Sequence, residues 1–243
     1  MRLRYALLRL ALDIEHYAKV RLIKKIENSD EDGYQIVKGF IDSLDDRQRE
    51  SFEKEIDRNR DNPYCGAIIQ KYDGEFPIWA FVEVIPFGRF VTFYRYCADY
   101  FADKMLGNEY FLLLSVKGLR NAAAHSNCII NDLKPCTIHV RTCNEVNQEL
   151  VKIQGLTRGV RRKKMSNARI QQIITLLYTH RKIVTSEGVH YYQCQALHEV
   201  VDRMFYHIQY YAHNDTIRTT FDFVKLVIDN WFPYEYNIGT LKK

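Results

Sequence analysis

Apolar residues at intervals of three and four recur along almost the whole chain, and this pattern constrains the fold more than any other feature of the sequence. Because 3.6 residues complete one turn of an α-helix, residues with this spacing lie on one helix face. The pattern predicts helices over 3–26, 34–59 with a break near residue 44, 64–72, 76–85, 89–106, 108–126, 144–153, 167–179, 189–212 and 215–231. Only residues 137–142 suggest a short strand or an extended connector, so we expect an all-α fold.

The predicted helix over 108–126, with an N-cap at its first residue, carries an arginine and a histidine near its end. Asn121 and His125 are four residues apart and share a face, whereas Arg120 lies roughly 140° from His125 and must reach round the helix. Alanines occupy positions 122–124, so a second helix or a ligand can approach closely.

This pair of residue types suits the cleavage of RNA without a metal ion. A histidine titrates near neutral pH, so it can take the proton of a ribose 2′-hydroxyl or give one to the leaving oxygen. A guanidinium can stabilise the charge that develops on the phosphate. The alternative is that these side chains form a solvated helix face or cap the helix end, which involves no catalysis.

The segment resembles the R-x4-6-H motif of HEPN ribonucleases, and more closely the Abi-like, or abortive infection, branch of that superfamily. The resemblance rests on three blocks in the same order, which are 12–16 with Lys19, 76–79 with Glu83 and 87–88, and 119–125 continuing to Asn131. Weaker similarity covers 163–170 and 221–232. Family members usually carry several tens of residues before the first block, so we expect either that an N-terminal part is missing or that this is a short variant.

The resemblance implies a HEPN-like helical bundle with additional C-terminal helices. We expect residues 1–150 to form the HEPN-like core that contains the R-x4-H motif. Residues 151–243 would carry a basic segment and the last helices, packed on the same body.

The resemblance also assigns roles to individual residues. It implies that Arg120 contacts the scissile phosphate, that His125 acts as acid or base, and that Asn121 orients it. Glu15 and His16, on the first predicted helix, would support this site. For Glu15 the spacing leaves open an ordinary surface ion pair with the lysine four residues later.

One motif per chain supplies one arginine and histidine set, whereas proton transfer in RNA cleavage has two ends. The resemblance implies that HEPN nucleases pair two motifs across a two-fold interface, so we expect a homodimer with RNA as substrate. It further implies a toxin-like role in bacterial phage defence, with some relatives held in check by a small partner RNA or by an antitoxin.

The excess positive charge is concentrated in one segment. Residues 151–190 contain nine lysines and arginines against a single acid, although the whole chain has a net charge of only +5. A local basic patch is typical of phosphate binding, and a solvated linker beside the core is the alternative. The candidate RNA-binding residues are Arg158, Arg161, Arg162, Lys163, Lys164 and Arg169.

Composition argues against several other classes of protein. The six cysteines form no C-x-x-C pair and no zinc spacing, which favours reduced, mostly buried thiols in the cytoplasm. No run approaches the ~18 apolar residues of a membrane span. Four histidines near the predicted helix 189–212 lack metal-ligand spacing, so we expect no metal and no cofactor: His190, His198, His207 and His213.

Three functions remain open from the sequence. The first is a metal-independent endoribonuclease of the abortive-infection type, with Arg120, Asn121 and His125 as its catalytic residues. The second is a non-catalytic RNA-binding protein, for example one that binds a small regulatory RNA. The third, a purely protein-binding antitoxin subunit, fits the fold but leaves the basic segment unexplained.

Overall fold

The computed structural model describes residues 2–138 and 142–233, and within them it contains only helices and loops. This confirms the predicted all-α fold; the centre of the possible strand, residues 139–141, lies outside the described residues. The helices are α1 (Arg2–Glu27), α2 (Gln35–Asp42), α3 (Asp46–Asn59), α4 (Gly66–Tyr72), α5 (Ile78–Val84), α6 (Phe87–Tyr100), α7 (Lys104–Ala124), α8 (Asn144–Val151), α9 (Arg158–Met165), α10 (Ala168–Ile183), α11 (Glu187–Phe205), a 3-10 helix (Ile208–Tyr211) and α12 (Asp215–Trp231).

The chain forms two compact units, and both boundaries between them fall inside helices. The motif unit contains the chain up to Ile14 and from Phe111 onward, so it holds the first part of α1, most of α7 and all later helices. The middle unit is Glu15–Tyr110. The sequence analysis separated residues 1–150, which contain the motif, from residues 151–243, which contain the basic segment. That division stays a prediction.

Aromatic rings form the core of the middle unit. Phe40, Phe81 and Phe93 are buried, and their ring centroids are 5.1 to 5.8 Å apart in edge-to-face arrangements. Such pairs stabilise a core beyond the area they bury. Phe87, Phe90, Phe93 and Tyr94 of α6 are buried and therefore serve packing, whereas Tyr100 at its end is exposed.

A buried carboxylate, Glu109, is held at the edge of this core. The Tyr94 hydroxyl donates to it at 2.6 Å, and the Arg21 guanidinium lies 2.9 Å from its other oxygen. Burial and the neighbouring carboxylate raise the pKa of Tyr94. The pairing supplies a hydrogen bond to one carboxylate oxygen and an opposite charge beside the other, which offset the cost of burying the carboxylate.

Helix α10 lies at the centre of the motif unit, where it packs against α8, α9 and α12. It is buried on most sides, so even His180 is fully enclosed. One carboxylate oxygen of Asp13 accepts from Gln193 at 2.7 Å and lies 3.2 Å from His180 Nε2. Burial lowers the pKa of His180 although Asp13 opposes the shift. These bonds connect α1, α10 and α11.

Several predicted helix boundaries were wrong. Helix α6 ends at Tyr100 rather than at residue 106, and helix α10 continues to Ile183 rather than ending at residue 179. Helix α7 begins at Lys104 rather than at residue 108, because Asp103 caps it by accepting from the backbone amides of Met105 and Leu106. Helix α11 ends at Phe205 rather than at 212, and a separate 3-10 helix follows.

The cysteines are less buried than the sequence led us to expect. All six cysteines lie in the described residues and are free, but only Cys97 and Cys194 are buried, so the expectation of mostly buried thiols was wrong.

Across residues 2–138 and 142–233, no helix has both the length and the apolar character that crossing a membrane requires.

Candidate functional site

The end of α7 fixes the position of His125. The amide of Asn127 donates to the carbonyl of Ala122 at 2.9 Å, and the amide of Ser126 donates to Ala123 at 3.2 Å. Ser126 has a left-handed conformation with φ 61°. This is the Schellman pattern, in which the residue before the left-handed position is the C-cap. His125 is that residue, so its backbone is held by hydrogen bonds from three consecutive amides, those of residues 125, 126 and 127.

The three motif residues differ in exposure. Asn121 and His125 are exposed, and the backbone amide of His125 donates to the Asn121 carbonyl at 2.9 Å, which places them one turn apart on the same face. Arg120 is half-buried, and its guanidinium donates to the side-chain oxygen of Asn121 at 3.4 Å. The amide of Asn121 thus contacts the arginine, while its orientation of the histidine stays a prediction.

A second arginine reaches the same helix end from α1. Arg4 donates from Nη1 to the carbonyl oxygen of Ser126 at 3.0 Å. A cation at a helix C-terminus is favoured by the helix dipole and by the unsatisfied carbonyls there. Sequence reasoning missed this residue, although the arginine-rich start of the chain was the available signal.

A third arginine approaches the exposed face of α7 from α10. The Gln172 amide nitrogen lies 3.4 Å from the position that a Cβ at Gly118 would occupy, and Arg169 donates to the Gln172 oxygen at 3.0 Å. Gly118 is exposed and lies one turn before Asn121. The structure therefore connects one predicted RNA-binding residue, Arg169, with the motif helix through Gln172.

The remaining candidate RNA-binding residues lie on α9, a helix that the sequence analysis did not predict. Its N-cap is Thr157, whose hydroxyl accepts from the amide of Val160 at 3.3 Å. Four cations of this helix are exposed or half-exposed, and we call them the α9 cations: Arg158, Arg161, Arg162 and Lys163. Collected on a single short helix, they form a compact positive surface.

Lys164 differs from its neighbours because its side chain points into the protein. It is 9% exposed, and its ammonium donates to the hydroxyls of Thr219 at 2.7 Å and Thr220 at 2.8 Å. Burial, with a smaller contribution from Lys163, lowers its pKa. These bonds attach α9 to α12, so we leave Lys164 out of the basic surface.

The buried side chain of Asn167 joins α10 to the loop that follows the motif helix. Its oxygen caps α10 by accepting from the amides of Arg169 and Ile170, both at 3.0 Å. Its nitrogen donates to the carbonyls of Asp132 at 3.0 Å and Lys134 at 2.7 Å. All four hydrogen-bonding positions of the amide are thereby used.

Neighbouring bonds extend this junction. The hydroxyl of Ser166 accepts from the amide of Cys136 at 3.0 Å, and its carbonyl accepts from the amide of Thr137 at 2.9 Å. The hydroxyl of Thr137 in turn accepts from the amide of Ala168 at 2.9 Å. The end of the basic helix is thus attached to the loop leaving His125 by bonds between residues 29 to 31 apart in sequence.

Glu15 and His16 lie on the part of α1 that belongs to the middle unit. The Glu15 carboxylate pairs with Lys19 at 3.3 Å, as the spacing had left open, but the two side chains are largely buried rather than on the surface. His16 is exposed and its ring meets Tyr17 edge to face. Their support of the motif stays a prediction.

The acidic and metal-ligating side chains do not gather into a further centre in the described part of the chain. Among residues 2–138 and 142–233, no three or more histidine, cysteine, aspartate or glutamate side chains are grouped so as to hold a metal ion.

Replacing Asn167 tests the junction. Asn167→Ala removes a helix cap and two further hydrogen bonds of a buried amide, so the free energy of unfolding should fall by about 2 to 3 kcal/mol. The matched control is Asn214→Ala, since Asn214 caps α12 but is exposed and should cost only about 1 kcal/mol. Urea unfolding followed by circular dichroism measures both. Equal losses would show that the bonds to Asp132 and Lys134 contribute nothing.

Comparison with known proteins supports the resemblance found in the sequence. A sequence profile of the family described as "Abi-like protein" matches residues 1–131, which include the helix with Arg120 and His125. No curated protein and no solved structure matches the chain.

Proposed function

The chain belongs to the Abi-like protein family, whose name indicates a role in abortive infection, and we propose that it is an endoribonuclease that acts in this form of phage defence. The observation that carries the proposal is an exposed histidine at a well-defined helix end with arginines around it. Arg120 is on the same helix, and Arg4 binds the residue that follows His125.

The chemistry follows from these side chains. His125 is open to solvent, so it can take a proton from a 2′-hydroxyl or protonate the leaving 5′-oxygen. Arg120 supplies a fixed positive charge for the phosphate oxygens, because a guanidinium binds phosphate through two parallel hydrogen bonds. Attack by the 2′-hydroxyl of the substrate itself leaves a 2′,3′-cyclic phosphate, and neither step calls for a metal ion.

The α9 cations supply the affinity for the RNA backbone in this proposal. Their charges are accessible, and Ser166 at the end of α9 is bonded to the loop that leaves His125. Arg169 extends positive charge toward the exposed face of α7. RNA held along this surface would meet the histidine at the helix end. The protein would work in the bacterial cytoplasm, and a small RNA or an antitoxin would restrain it.

A homodimer would complete the site. The exposed face of α7 in the motif unit presents Gly118, Asn121 and His125, one turn apart, with the half-exposed Ala122 between them. Small side chains allow a second copy of the helix to approach closely, and a two-fold axis there would bring two histidines to one RNA strand. One histidine would then serve as base and the other as acid.

Removal of the histidine tests the chemistry. His125→Ala should lower the cleavage rate of single-stranded RNA by on the order of 100-fold or more, because it removes the proton acceptor. Cleavage by the wild type should persist in EDTA, leave 2′,3′-cyclic phosphate ends and stop when the 2′-hydroxyl at the cut site is replaced by hydrogen. Gel analysis of end-labelled RNA measures these effects.

The matched control is His213→Ala, which removes an exposed histidine elsewhere in the motif unit and should leave the rate unchanged. Total cellular RNA after induction, compared between wild type and His125→Ala, extends the test to cells. Binding of RNA without cleavage by the wild type would instead favour the non-catalytic RNA-binding function.

A change at Gly118 tests the dimer. Gly118→Gln places a neutral, helix-favouring side chain on the exposed face and should weaken self-association at least tenfold, with a parallel loss of cleavage at low protein concentration. Gly107→Gln is the control, since the same change on α7 meets open space. Sedimentation velocity measures the association. A wild-type protein that is monomeric at micromolar concentration and still cuts RNA through His125 would refute the shared site.

The salt dependence of binding tests the basic surface. Each phosphate contact with a single strand contributes about −0.7 to the slope of log affinity against log salt, so replacing all four α9 cations with glutamine should flatten the slope by up to about 3. Binding should weaken alike for all RNA sequences, whereas His125→Ala should bind nearly as the wild type does. Fluorescence anisotropy measures the slope.

A control variant removes the same number of exposed cations from the middle unit: Arg47, Lys54, Arg58 and Lys71. It should change the slope much less. An unchanged slope in the α9 variant would mean that α9 is only a solvated helix.

A further inference from the structure

Exposed aromatic rings gather where α11 gives way to the 3-10 helix. Tyr206 and Tyr210 are 70% and 73% exposed. Between them, the His207 ring stacks on Tyr210 with centroids 4.7 Å apart and planes inclined by 14°. Tyr206 meets the same ring edge to face at 4.5 Å. Single exposed rings are common on protein surfaces, but neighbouring rings that are in contact with one another form a patch, which is typical of a binding surface.

Local bonds hold these rings in place. Gln209 donates from its amide to His207 Nδ1 at 3.3 Å, so the plane of the histidine ring is fixed. The next ring, Tyr211, packs edge to face on Phe221 of α12 at 5.4 Å. A surface that is ordered in advance binds a ligand with a smaller entropic cost.

Arginines lie beside the rings. Arg203 has its guanidinium 5.9 Å from the centre of the Tyr206 ring, and both line a groove with Arg2 of α1. Two carboxylates, Glu199 and Asp202, line the same groove. A second groove shares Arg2 and Glu199 with the first and continues along α1 to Tyr5 and Arg9. The arginines of the two grooves outnumber the carboxylates by three to two.

The start of α1 connects these grooves with the end of the motif helix. Arg4 directly precedes Tyr5 in the sequence, and its guanidinium is 5.4 Å from the centre of the Tyr5 ring. The same guanidinium donates to the carbonyl of Ser126, next to His125. Through Tyr5 and Arg4, the second groove is therefore connected with the candidate catalytic end of α7.

We propose that Tyr206, His207 and Tyr210 form a subsite that stacks unpaired bases of an RNA strand, while Arg2 and Arg203 contact its phosphates. The inference rests on the proposed function in that RNA is the ligand. Every base has a flat π face, so a ring pair with an open face binds a single strand irrespective of sequence. The α9 cations contact only the backbone in our proposal, so this subsite adds the preference for unpaired RNA that charge alone does not provide.

The test measures binding in the His125→Ala background, so that RNA cleavage does not interfere. The probes are a fluorescein-labelled 12-nucleotide oligouridylate and an abasic RNA strand of the same length, followed by anisotropy. Tyr206→Ala with Tyr210→Ala should weaken binding of the oligouridylate roughly tenfold or more, because each stacked ring contributes substantially to affinity. Binding of the abasic strand should change less than twofold, since it has phosphates but no bases.

Two control variants make the result specific. Tyr206→Phe with Tyr210→Phe keeps the rings and should bind as the parent does. Tyr64→Ala with Tyr192→Ala removes two tyrosines that are 92% and 71% exposed elsewhere, and it should also bind as the parent does. Circular dichroism checks that the alanine variants are folded. Unchanged oligouridylate binding by the Tyr206 and Tyr210 alanine variant, or an equal loss for the abasic strand, would overturn the subsite.

This outcome is separable from that of the proposed function. Cleavage by the wild type with normal binding by the alanine variant would remove the subsite and leave the nuclease. Loss of base-dependent binding by the alanine variant, without any cleavage by the wild type, would support the subsite and remove the nuclease.

Discussion

The four hydrogen bonds of the Asn167 side chain connect the parts of the motif unit on which the candidate site depends. The amide oxygen caps the start of α10, and the amide nitrogen donates to two backbone carbonyls of the loop between α7 and α8. The Asn167 side chain is buried, so a polar atom of its amide that lost its partner would have no water to replace it. The position of that loop, and with it the course of the chain leaving His125, is therefore coupled to the start of α10 and to the end of α9.

The arrangement of positive charge shows why burial matters as much as composition. Lys163 and Lys164 are adjacent and chemically alike, yet one is exposed and the other donates to two threonine hydroxyls of α12. A helix turns by 100° per residue, so adjacent residues of a basic run can lie in different environments. Lys164 attaches the helix to the unit, while the α9 cations remain available for a ligand. At the start of α1, Arg4 is likewise distinguished by its contact, because it donates to the carbonyl of Ser126 at the end of α7.

These contacts suggest how one chain combines binding with catalysis. The α9 cations lie on a helix whose end is bonded to the loop after His125. Arg169 lies on α10, which places Gln172 beside Gly118 of α7. Arg4 reaches the residue immediately after the histidine. In the functions that we propose, the charged surface contributes affinity, the exposed rings favour unpaired strands, and the end of α7 performs the chemistry. The Schellman ending holds the backbone of His125 in one conformation, so in the proposed function little ordering would remain for RNA binding to impose.

The sequence by itself determined the all-α class, the family and the helix that carries Arg120 and His125, because apolar spacing and short motifs are properties of neighbouring residues. It placed the start of that helix one turn too late, since Asp103 and Asn108 are both acceptable caps and only the backbone shows which is used. It did not identify Arg4, Asn167 or the burial of Lys164. Each of these depends on a partner 33 to 122 residues away in the chain, and only tertiary packing brings such partners within hydrogen-bonding distance.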